Sequence, residues 1–396
     1  MKILFITQFL PYPPDTGGKI KTYRTIKILS KKHQVFLISF IDRKEDLKWE
    51  KELKKICFGL KTSLTPVITI SHKKLLFRVI RGIFNPRPFR VQKYFLKEVA
   101  EFIKNLTFKE KFDAVHFDHE TSVQYLPYIF NGEKIIKVYD EHNISSEGLF
   151  GYARYEKNLI EKVGYLIEGL KFRHYENKIL PFFDKFLTIS EVDRQSLVKR
   201  GVSVEKISFL PVPFKTEKLF HFSSKTVLFL GLLSWWPNQD AVLWFGEKIY
   251  PLIKKEIPEV KFLIIGRYPP KKIIKIAQKD ASIQVKGYVK DKSPFLKKAG
   301  VFAVPIRAGA GVRIKILDAL SFGLPVVSTK MALQGVDLNN GLNVLLADDE
   351  KRFAAAVIKI LKNKNLAHKL SEKGRLFIKE NYSLQKAKRV LDKVYQ

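Results

Sequence analysis

Short apolar runs alternate with stretches of helical periodicity along most of the chain. This alternation is typical of parallel strands that are connected by helices. In the first half it predicts one helix over Gly18–Lys31 and strands at Lys2–Thr7, Gln34–Phe40, Ala114–Phe117, Ile135–Tyr139, Phe186–Ile189 and Ile207–Leu210. The pattern then restarts and predicts strands at Thr226–Leu230, Val260–Ile265, Ile283–Val285, Val301–Val304, Pro325–Ser328 and Val344–Leu346. The predicted fold class is therefore α/β, with two doubly wound, Rossmann-like domains.

The domain boundaries follow from the places where the periodicity stops. A chain of 396 residues is long for one domain. We predict an N-terminal domain over residues 1–212, a proline-containing linker over 213–224, a C-terminal domain over 225–382 and a C-terminal helix over 383–396. The C-terminal helix could pack on the C-terminal domain or return to pack on the N-terminal domain. Ligands of parallel sheets bind beyond the carboxyl ends of the strands, so the predicted site is a cleft between two facing domains.

The net charge of +33 arises from 72 Lys and Arg residues against 39 Asp and Glu residues. Such an excess favours polyanionic partners, although a general lysine bias explains it equally well. Residues 72–104 mix basic and apolar positions, which predicts amphipathic helices that could bind an anionic membrane surface. The alternative is an ordinary pair of surface helices with a basic outer face. No nucleic-acid-binding motif accompanies the charge, so nucleic acid is not the expected partner.

The single cysteine, Cys57, excludes an internal disulfide and fits a reducing compartment. The first apolar run is too short for a secretory signal, and no stretch is long enough to span a membrane. We therefore expect a cytoplasmic protein that associates with the inner face of the membrane if the basic segment binds lipid.

The stretch from Gly309 to Thr329 carries the strongest chemical signal. A buried strand ends just before it, and a helix is expected to begin near Arg313 or Ile314. The glycines Gly309 and Gly311 allow the backbone to approach a ligand, while the helix amides and the side chains of Arg313 and Lys315 attract phosphate. Asp318 could accept hydrogen bonds from a ribose. A surface ion pair between Lys315 and Asp318 is the alternative, but it would not require a glycine loop.

A second set of candidates lies at strand ends in the first half of the chain. Gly17 and Gly18 follow the first predicted strand and open a helix, as in a phosphate-binding loop; a plain turn is the alternative. Asp118 and His119 follow a third predicted strand and face the expected cleft, where a polar loop without function is the alternative. Ser190 is predicted to cap the helix that follows it.

These motifs together resemble those of the retaining glycosyltransferases of family 4, which have the GT-B fold. The resemblance extends over nearly the whole chain and rests on Phe229-Leu230-Gly231 with Pro237-Asn238, on Gly309–Thr329, on Asp113–Asp118 and on Asp140–Asn143. It implies transfer of a sugar from a nucleotide diphosphate sugar to a glycan or lipid-linked acceptor, with retention and without a metal. In that mechanism the departing phosphate helps to deprotonate the acceptor. No cofactor other than the nucleotide sugar is implied.

The resemblance also implies roles for individual residues. Asp318 falls on the acid that holds the ribose, whereas the first glutamate of the same motif falls on Ala310. A branch of the family with a GAG-x-R-x-K loop resembles this chain more closely, and this resemblance implies that the Arg and Lys bind the diphosphate. The usual cations after the first strand of the C-terminal domain are absent, so Arg313 and Lys315 are predicted to be catalytic.

In the N-terminal half the resemblance implies that Gly17 and Gly18 approach the donor phosphates. Asp118, with His119 beside it, falls where the family often has a histidine near the sugar, so both are predicted to be catalytic. No carboxylate cluster has metal-ligand spacing, and no metal ligand is predicted. A nucleotide-sugar epimerase of the same fold remains an alternative, and Ala310 leaves open a catalytically inactive relative that binds nucleotide or polyanion.

Overall fold

The chain divides into two compact units, which we describe one at a time. A computed structural model describes residues 1–65, 85–130, 134–156, 158–216, 224–309 and 311–396. The first unit contains Met1–Val212 together with Ala387–Gln396, and the second contains Pro213–Lys386. Within the predicted linker, residues 217–223 lie outside the described residues.

The first unit is built on a parallel sheet of seven strands. They are β1 (Lys2–Thr7), β2 (Gln34–Ile41), β3 (Gly59–Leu64), β4 (Ala114–Asp118), β5 (Ile136–Asp140), β6 (Lys185–Thr188) and β7 (Ile207–Phe209). Their spatial order is β3-β2-β1-β4-β5-β6-β7, so the order in which strands are added to the sheet reverses between β1 and β4. The sequence pattern predicted six of these strands within two residues and missed β3, an edge strand that contains Lys61, Thr62 and Ser63.

Helices cover both faces of this sheet. Alternate residues of β1 accordingly belong to two different clusters of buried side chains. Ile3 and Phe5 belong to one cluster of buried side chains, and Leu4 and Ile6 belong to the other. The α-helices are α1 (Gly17–Leu29), α2 (Glu50–Leu53), α3 (Phe89–Lys93), α4 (Lys97–Lys109), α5 (Ser145–Tyr155), α6 (Leu159–Ile179) and α7 (Glu191–Lys199). Short 3-10 helices occur at Lys44–Trp49, Val123–Tyr128, Leu180–Phe182 and Val204–Lys206.

The basic segment predicted over residues 72–104 is only partly described, because residues 66–84 lie outside the described residues. In the remainder, the apolar side chains Val99, Ala100 and Ile103 of α4 are buried in the core of the first unit. That apolar face therefore packs into the protein. None of the described helices combines the length and the hydropathy of a membrane-spanning segment.

The second unit is built on a parallel sheet of six strands. They are β8 (Thr226–Leu230), β9 (Lys261–Ile265), β10 (Ile283–Gly287), β11 (Val301–Val304), β12 (Val326–Ser328) and β13 (Leu345–Leu346). The order is β10-β9-β8-β11-β12-β13, with the reversal between β8 and β11. Two doubly wound parallel sheets, each with helices connecting its strands, confirm the predicted fold class.

The helices of the second unit are α8 (Trp236–Trp244), α9 (Tyr250–Glu256), α10 (Lys271–Lys279), α11 (Ser293–Lys298), α12 (Ile314–Ser321), α13 (Glu350–Lys362) and α14 (Lys364–Asn381). One π-helical turn at Phe245–Ile249 joins α8 to α9, and a 3-10 turn occurs at Met331–Leu333. Gly323 follows the end of α12, and its φ of +70° lies in the left-handed region that favours glycine.

The last helix, α15 (Leu384–Val394), returns the chain to the first unit. Ala387, Leu391 and Val394 are buried in the same cluster as Ile3 and Phe5 of β1. The hydroxyl of Tyr395 lies 2.5 Å from Nδ1 of His116, which is fully buried in β4. The last ten residues therefore belong to the first unit and contribute buried side chains to its core.

Candidate functional site

The loop after β11 has the backbone geometry expected of a ligand-binding loop. Gly309 and Gly311 have φ of +104° and +87°, a region that side-chain-bearing residues rarely adopt. A Cβ atom at Gly309 would lie 2.9 Å from Nη2 of Arg313. Helix α12 begins at Ile314, directly after Arg313, and lies at the point where the strand order reverses. Ala310 lies outside the described residues.

Lys315 is half-buried, and its amine lies between β8 and α8. Its Nζ donates a hydrogen bond to Oδ1 of Asn238 at 2.7 Å and lies 4.5 Å from the ring centre of Phe229. Burial, together with the neighbouring charge of Arg313, holds the pKa of Lys315 well below its usual value. Among the described residues no carboxylate forms an ion pair with Lys315. The site therefore holds a buried amine whose charged form lacks an anion.

Arg313 reaches the same region from the start of α12. It is 6% exposed, its guanidinium lies 5.3 Å from the ring centre of Trp235, and its Nη2 is 3.4 Å from the carbonyl oxygen of Ala308. Its positive charge is one cause of the lowered pKa of Lys315. The structure thus brings the two predicted diphosphate-binding cations into one buried position beside the glycine loop.

The alternative of a surface pair between Lys315 and Asp318 is wrong. Lys315 bonds to Asn238, while the buried carboxylate of Asp318 forms an ion pair with Nζ of Lys292. Lys292 lies just before α11 and is 36% exposed. Asp318 is therefore a buried acid whose ion-pair partner, Lys292, is itself partly exposed.

In the first unit, the carboxyl ends of three neighbouring strands form one polar cluster. Thr7 of β1 pairs in register with Asp118 of β4, which pairs with Asp140 of β5. The Oδ2 atom of Asp118 accepts hydrogen bonds from Thr7 Oγ1 at 2.6 Å and from Thr22 Oγ1 at 2.9 Å. Its Oδ1 lies 2.7 Å from Nε2 of His142. Both oxygens of the Asp118 carboxylate therefore have hydrogen-bond partners.

The electrostatics of this cluster keep Asp118 ionised. Complete burial opposes ionisation, but His142 and His119 outweigh it and hold the pKa of Asp118 well below its usual value. Burial lowers the pKa of His142 to about 4, so its ring is neutral at pH 7 and donates Nε2–H to Asp118. A neutral imidazole and a buried carboxylate form a fixed donor and acceptor pair.

His119 has the backbone strain that often marks a functional residue. Its φ is +74°, which is uncommon for a side-chain-bearing residue. Its Nδ1 lies 3.1 Å from Asp118 Oδ2, and its ring is 3.6 Å from that of His142, centre to centre. A Cβ atom at Gly18 would lie 3.7 Å from Nε2 of His119. Asp118, His119 and Gly18 are thus neighbours, and α1 begins at Gly17.

Several contributors were not predicted as site residues. Lys21, one turn into α1, is fully buried and forms an ion pair with Asp140. Asn238 and Lys292 hold Lys315 and Asp318, respectively. The one sequence feature that points to Lys21 is its position, three residues after Gly18 on the helix that begins at the paired glycines.

Ser190 caps α7 as predicted, since its Oγ accepts a hydrogen bond from the amide of Asp193 at 3.0 Å.

Sequence spacing was too weak a basis for excluding a metal. The fold brings potential ligand atoms within 4.8 Å of one another in two groups, Asp118 with His119 and His142, and Asp118 with His116 and Asp140. The hydrogen bonds from Thr7 and Thr22 occupy one oxygen of the shared carboxylate, and Lys21 neutralises Asp140. The same atoms thus take part in hydrogen bonds and ion pairs with one another and with neighbouring side chains.

Part of the chain is similar in sequence to known glycosyltransferases. Residues 224–363 match the family model described as Glycosyl transferases group 1. The chain is 27% identical over 401 residues to a 44.6 kDa protein of the cps region of Klebsiella pneumoniae, with 97% of each covered. It is 24% identical over 210 residues to a glycosyltransferase of Methanocaldococcus jannaschii, with 50% of this chain and 52% of the relative covered.

The fold also matches a solved structure over its whole length. The crystal structure of a mutant of S. aureus TarM, in complex with Fondaparinux, alpha-GlcNAc-glycerol and UDP, has a TM-score of 0.71 and 14% sequence identity. The match covers 100% of this chain and 99% of that one. With its two Rossmann-like units and its group 1 domain in the second, the chain is a glycosyltransferase of the GT-B fold.

Proposed function

We propose that this glycosyltransferase transfers a sugar from a nucleotide diphosphate sugar to a glycan or lipid-linked acceptor, with retention and without a metal ion. The observation that carries the proposal is the pair formed by buried Arg313 and half-buried Lys315 beside Gly309 and Gly311. Two cations and a backbone open to close approach are what a diphosphate requires. The complex of S. aureus TarM with UDP, although only the fold is shared, supports a nucleotide as the ligand.

The chemistry follows from where charge develops. When the bond between the sugar and the diphosphate breaks, negative charge accumulates on the departing phosphate. Arg313 is a cation fixed at the start of α12, and Lys315, whose pKa is lowered in the empty site, would become a full cation once the diphosphate binds, so that both stabilise the developing charge. They supply the neutralisation that a divalent ion provides in other transferases, which is the basis for proposing independence from metal. Asp318 would bind the ribose hydroxyls after release from Lys292.

In the first unit, we assign a sugar-contacting role to His119, with Asp118 and His142 fixing its orientation. Its Nδ1 is directed at Asp118, so Nε2 is the atom that can meet the transferred sugar, next to Gly18. Retention would follow if the departing phosphate itself takes the proton of the attacking hydroxyl on the same face of the sugar. No protein nucleophile is then required.

Thermal stabilisation by UDP, GDP, ADP and dTDP, in EDTA and in Mg²⁺, tests the donor site. We expect one nucleotide to raise Tm equally in both solutions, and Arg313→Ala and Asp318→Ala to abolish the shift. Arg307→Ala is the matched control, because Arg307 is an exposed arginine just before the glycine loop and pairs with Asp240. No shift with any nucleotide would refute the donor site, and a shift that requires Mg²⁺ would refute metal independence.

The product distinguishes the alternatives. The nucleotide sugar with the preferred base, incubated without any acceptor, should not yield an epimerised nucleotide sugar. With an acceptor, the anomeric configuration of the new bond, read from the proton coupling constant, should equal that of the donor. An epimer formed without acceptor would establish the epimerase, and inversion would refute the proposed mechanism.

A further inference from the structure

Helix α6 carries a row of exposed apolar side chains that belongs to neither of the two sites. Leu159, Val163, Leu166 and Leu170 are between 41% and 73% exposed, and they follow one another at intervals of four, three and four residues. We propose that this row, the α6 seam, packs antiparallel against the same row of a second copy of the chain and so forms a two-fold symmetric dimer. Dimerisation of this kind is independent of the proposed sugar transfer.

The spacing of the α6 seam is that of paired helices. Alternating intervals of four and three residues keep side chains on one side of an α-helix, which has about 3.6 residues per turn. Side chains in such a row fit between those of a second helix with the same pattern. Ile160 and Ile167 extend the apolar surface along one side of the seam, and Ile160 is exposed as well.

The α6 seam is presented by a helix that is held in place from another side. The ring of Tyr165 lies 5.8 Å from that of Tyr152 on α5, centre to centre. A Cβ atom at Gly169 would lie 2.7 Å from Cε1 of Phe150, so α5 and α6 pack closely. Residues 165 and 169 are about a third of a turn away from the seam. Because α5 already orders α6, a second copy would meet a seam whose ordering costs little entropy.

An antiparallel arrangement makes the α6 seam complementary to itself. When the two-fold axis passes between positions 164 and 165, Leu159 lies opposite Leu170 of the second copy, and Val163 lies opposite Leu166. Every apolar position of the seam then faces another apolar position. A single register therefore covers the whole row on both copies.

The same register brings opposite charges together at each end of the seam. Arg173 falls near Glu156 of the second copy, which lies just before α6 begins. Arg173 is exposed, and its guanidinium lies 5.1 Å from the ring centre of Phe150. The pair would form twice in a symmetric dimer, once at each end. This complementarity favours a second copy as the partner.

The charge around the α6 seam also favours a protein over an anionic membrane. Residues 145–179, which include α5 and α6, contain five acidic residues and six Lys or Arg residues, a net charge of +1 in a chain whose net charge is +33. Helices that bind anionic lipid surfaces are rich in Lys and Arg. Two copies of so basic a chain repel each other, so a nearly neutral apolar surface is where their contact is least opposed.

Sedimentation velocity of the full chain over a range of concentrations tests the dimer. We expect a dimer of twice 45.9 kDa with a Kd of about 10 μM, because one helix from each copy makes a small interface. Dimerisation should strengthen between about 0.1 M and about 0.5 M NaCl, since salt screens the repulsion between the copies. Leu166→Glu should weaken it at least about tenfold by placing a charge in the seam. Leu376→Glu is the matched control, because Leu376 is a similarly exposed leucine on α14 of the second unit.

Disulfide cross-linking tests the antiparallel register. Cys57, the one cysteine of the chain, is buried. A mixture of Leu159→Cys and Leu170→Cys proteins should form a disulfide-linked dimer on mild oxidation. Either variant alone should not, because in this register position 159 of one copy lies about 16 Å along the helix from position 159 of the other.

Three results would overturn the proposed dimer: a monomer at all concentrations up to about 200 μM, unchanged dimerisation of Leu166→Glu, or cross-linking of each cysteine variant with itself. Sedimentation with phosphatidylglycerol vesicles distinguishes a lipid partner. A wild-type chain that is monomeric in their absence, and that binds them through Leu166 more weakly as salt is added, would assign the seam to a membrane instead. If Leu166→Glu fails to fold, Leu170→Glu, at a residue that is 60% exposed, repeats the test.

Discussion

Replacing Lys315 by methionine tests whether the buried amine binds the donor diphosphate. Methionine keeps the length of the side chain and removes its charge and its hydrogen bonds. A charge-assisted hydrogen bond to a buried anion contributes about 1.5–3 kcal/mol, so we expect nucleotide affinity to fall about 10- to 150-fold. Isothermal titration calorimetry with the stabilising nucleotide measures this directly. Lys330→Met, at an exposed lysine of the same unit, should leave the affinity unchanged.

The lowered pKa of Lys315 adds a second readout. Burial and Arg313 disfavour the ammonium in the empty site, whereas a bound diphosphate favours it. Binding should therefore take up a proton in the wild type, and calorimetry in buffers of different ionisation enthalpy counts it. We expect less proton uptake by Lys315→Met than by the wild type at pH 8. Equal affinity and equal proton uptake in the two proteins would refute the assignment of Lys315 to the diphosphate.

Three further outcomes follow from the same geometry. Asp318→Asn removes the acid proposed to bind the ribose and should weaken nucleotide binding about tenfold in calorimetry; unchanged affinity would contradict that role. Gly309→Ala should lower the free energy of urea unfolding by about 1–2 kcal/mol through its backbone strain and should also weaken nucleotide binding by moving Arg313. Gly341→Ala, with φ +77° and open space around the new Cβ, should show the strain alone. The pKa of His142 falls to about 4 on folding, so the unfolded state binds more protons than the folded state below pH 6.5. The free energy of unfolding should therefore fall by about 2 kcal/mol between pH 7 and pH 5 because of His142. His142→Gln should lose that part of the pH dependence in urea titrations, and an identical dependence would argue against a neutral His142.

The sequence allowed the strands that are buried on both faces to be predicted closely. The strands Lys2–Thr7, Thr226–Leu230 and Val301–Val304 are continuous apolar runs, and each was predicted with its observed bounds. The edge strand Gly59–Leu64 was missed because it is only half-buried and has polar residues at its centre. Periodicity reports burial, so an edge strand that buries little leaves little pattern.

The two sites differ in how much of them a local pattern could predict. Gly309, Gly311, Arg313 and Lys315 lie within seven residues, and their spacing predicted the loop and the start of the helix correctly. The partner of Lys315 could not be predicted in this way, because Asn238 is 77 residues away. The pairing of distant residues depends on which strand ends the fold places together, and spacing along the chain does not contain that information.

The return of residues 387–396 to the first unit has a consequence for synthesis. The whole second unit is, in chain order, an insertion within the first, because Pro213–Lys386 separates Val212 from Ala387. Tyr395 contacts His116 beneath the polar cluster, and Leu391 and Val394 fill the core around β1. During synthesis the second unit can therefore fold while the core of the first unit around β1 still lacks Leu391 and Val394. The site on the first unit would then become fully ordered only when the last turn of helix has left the ribosome.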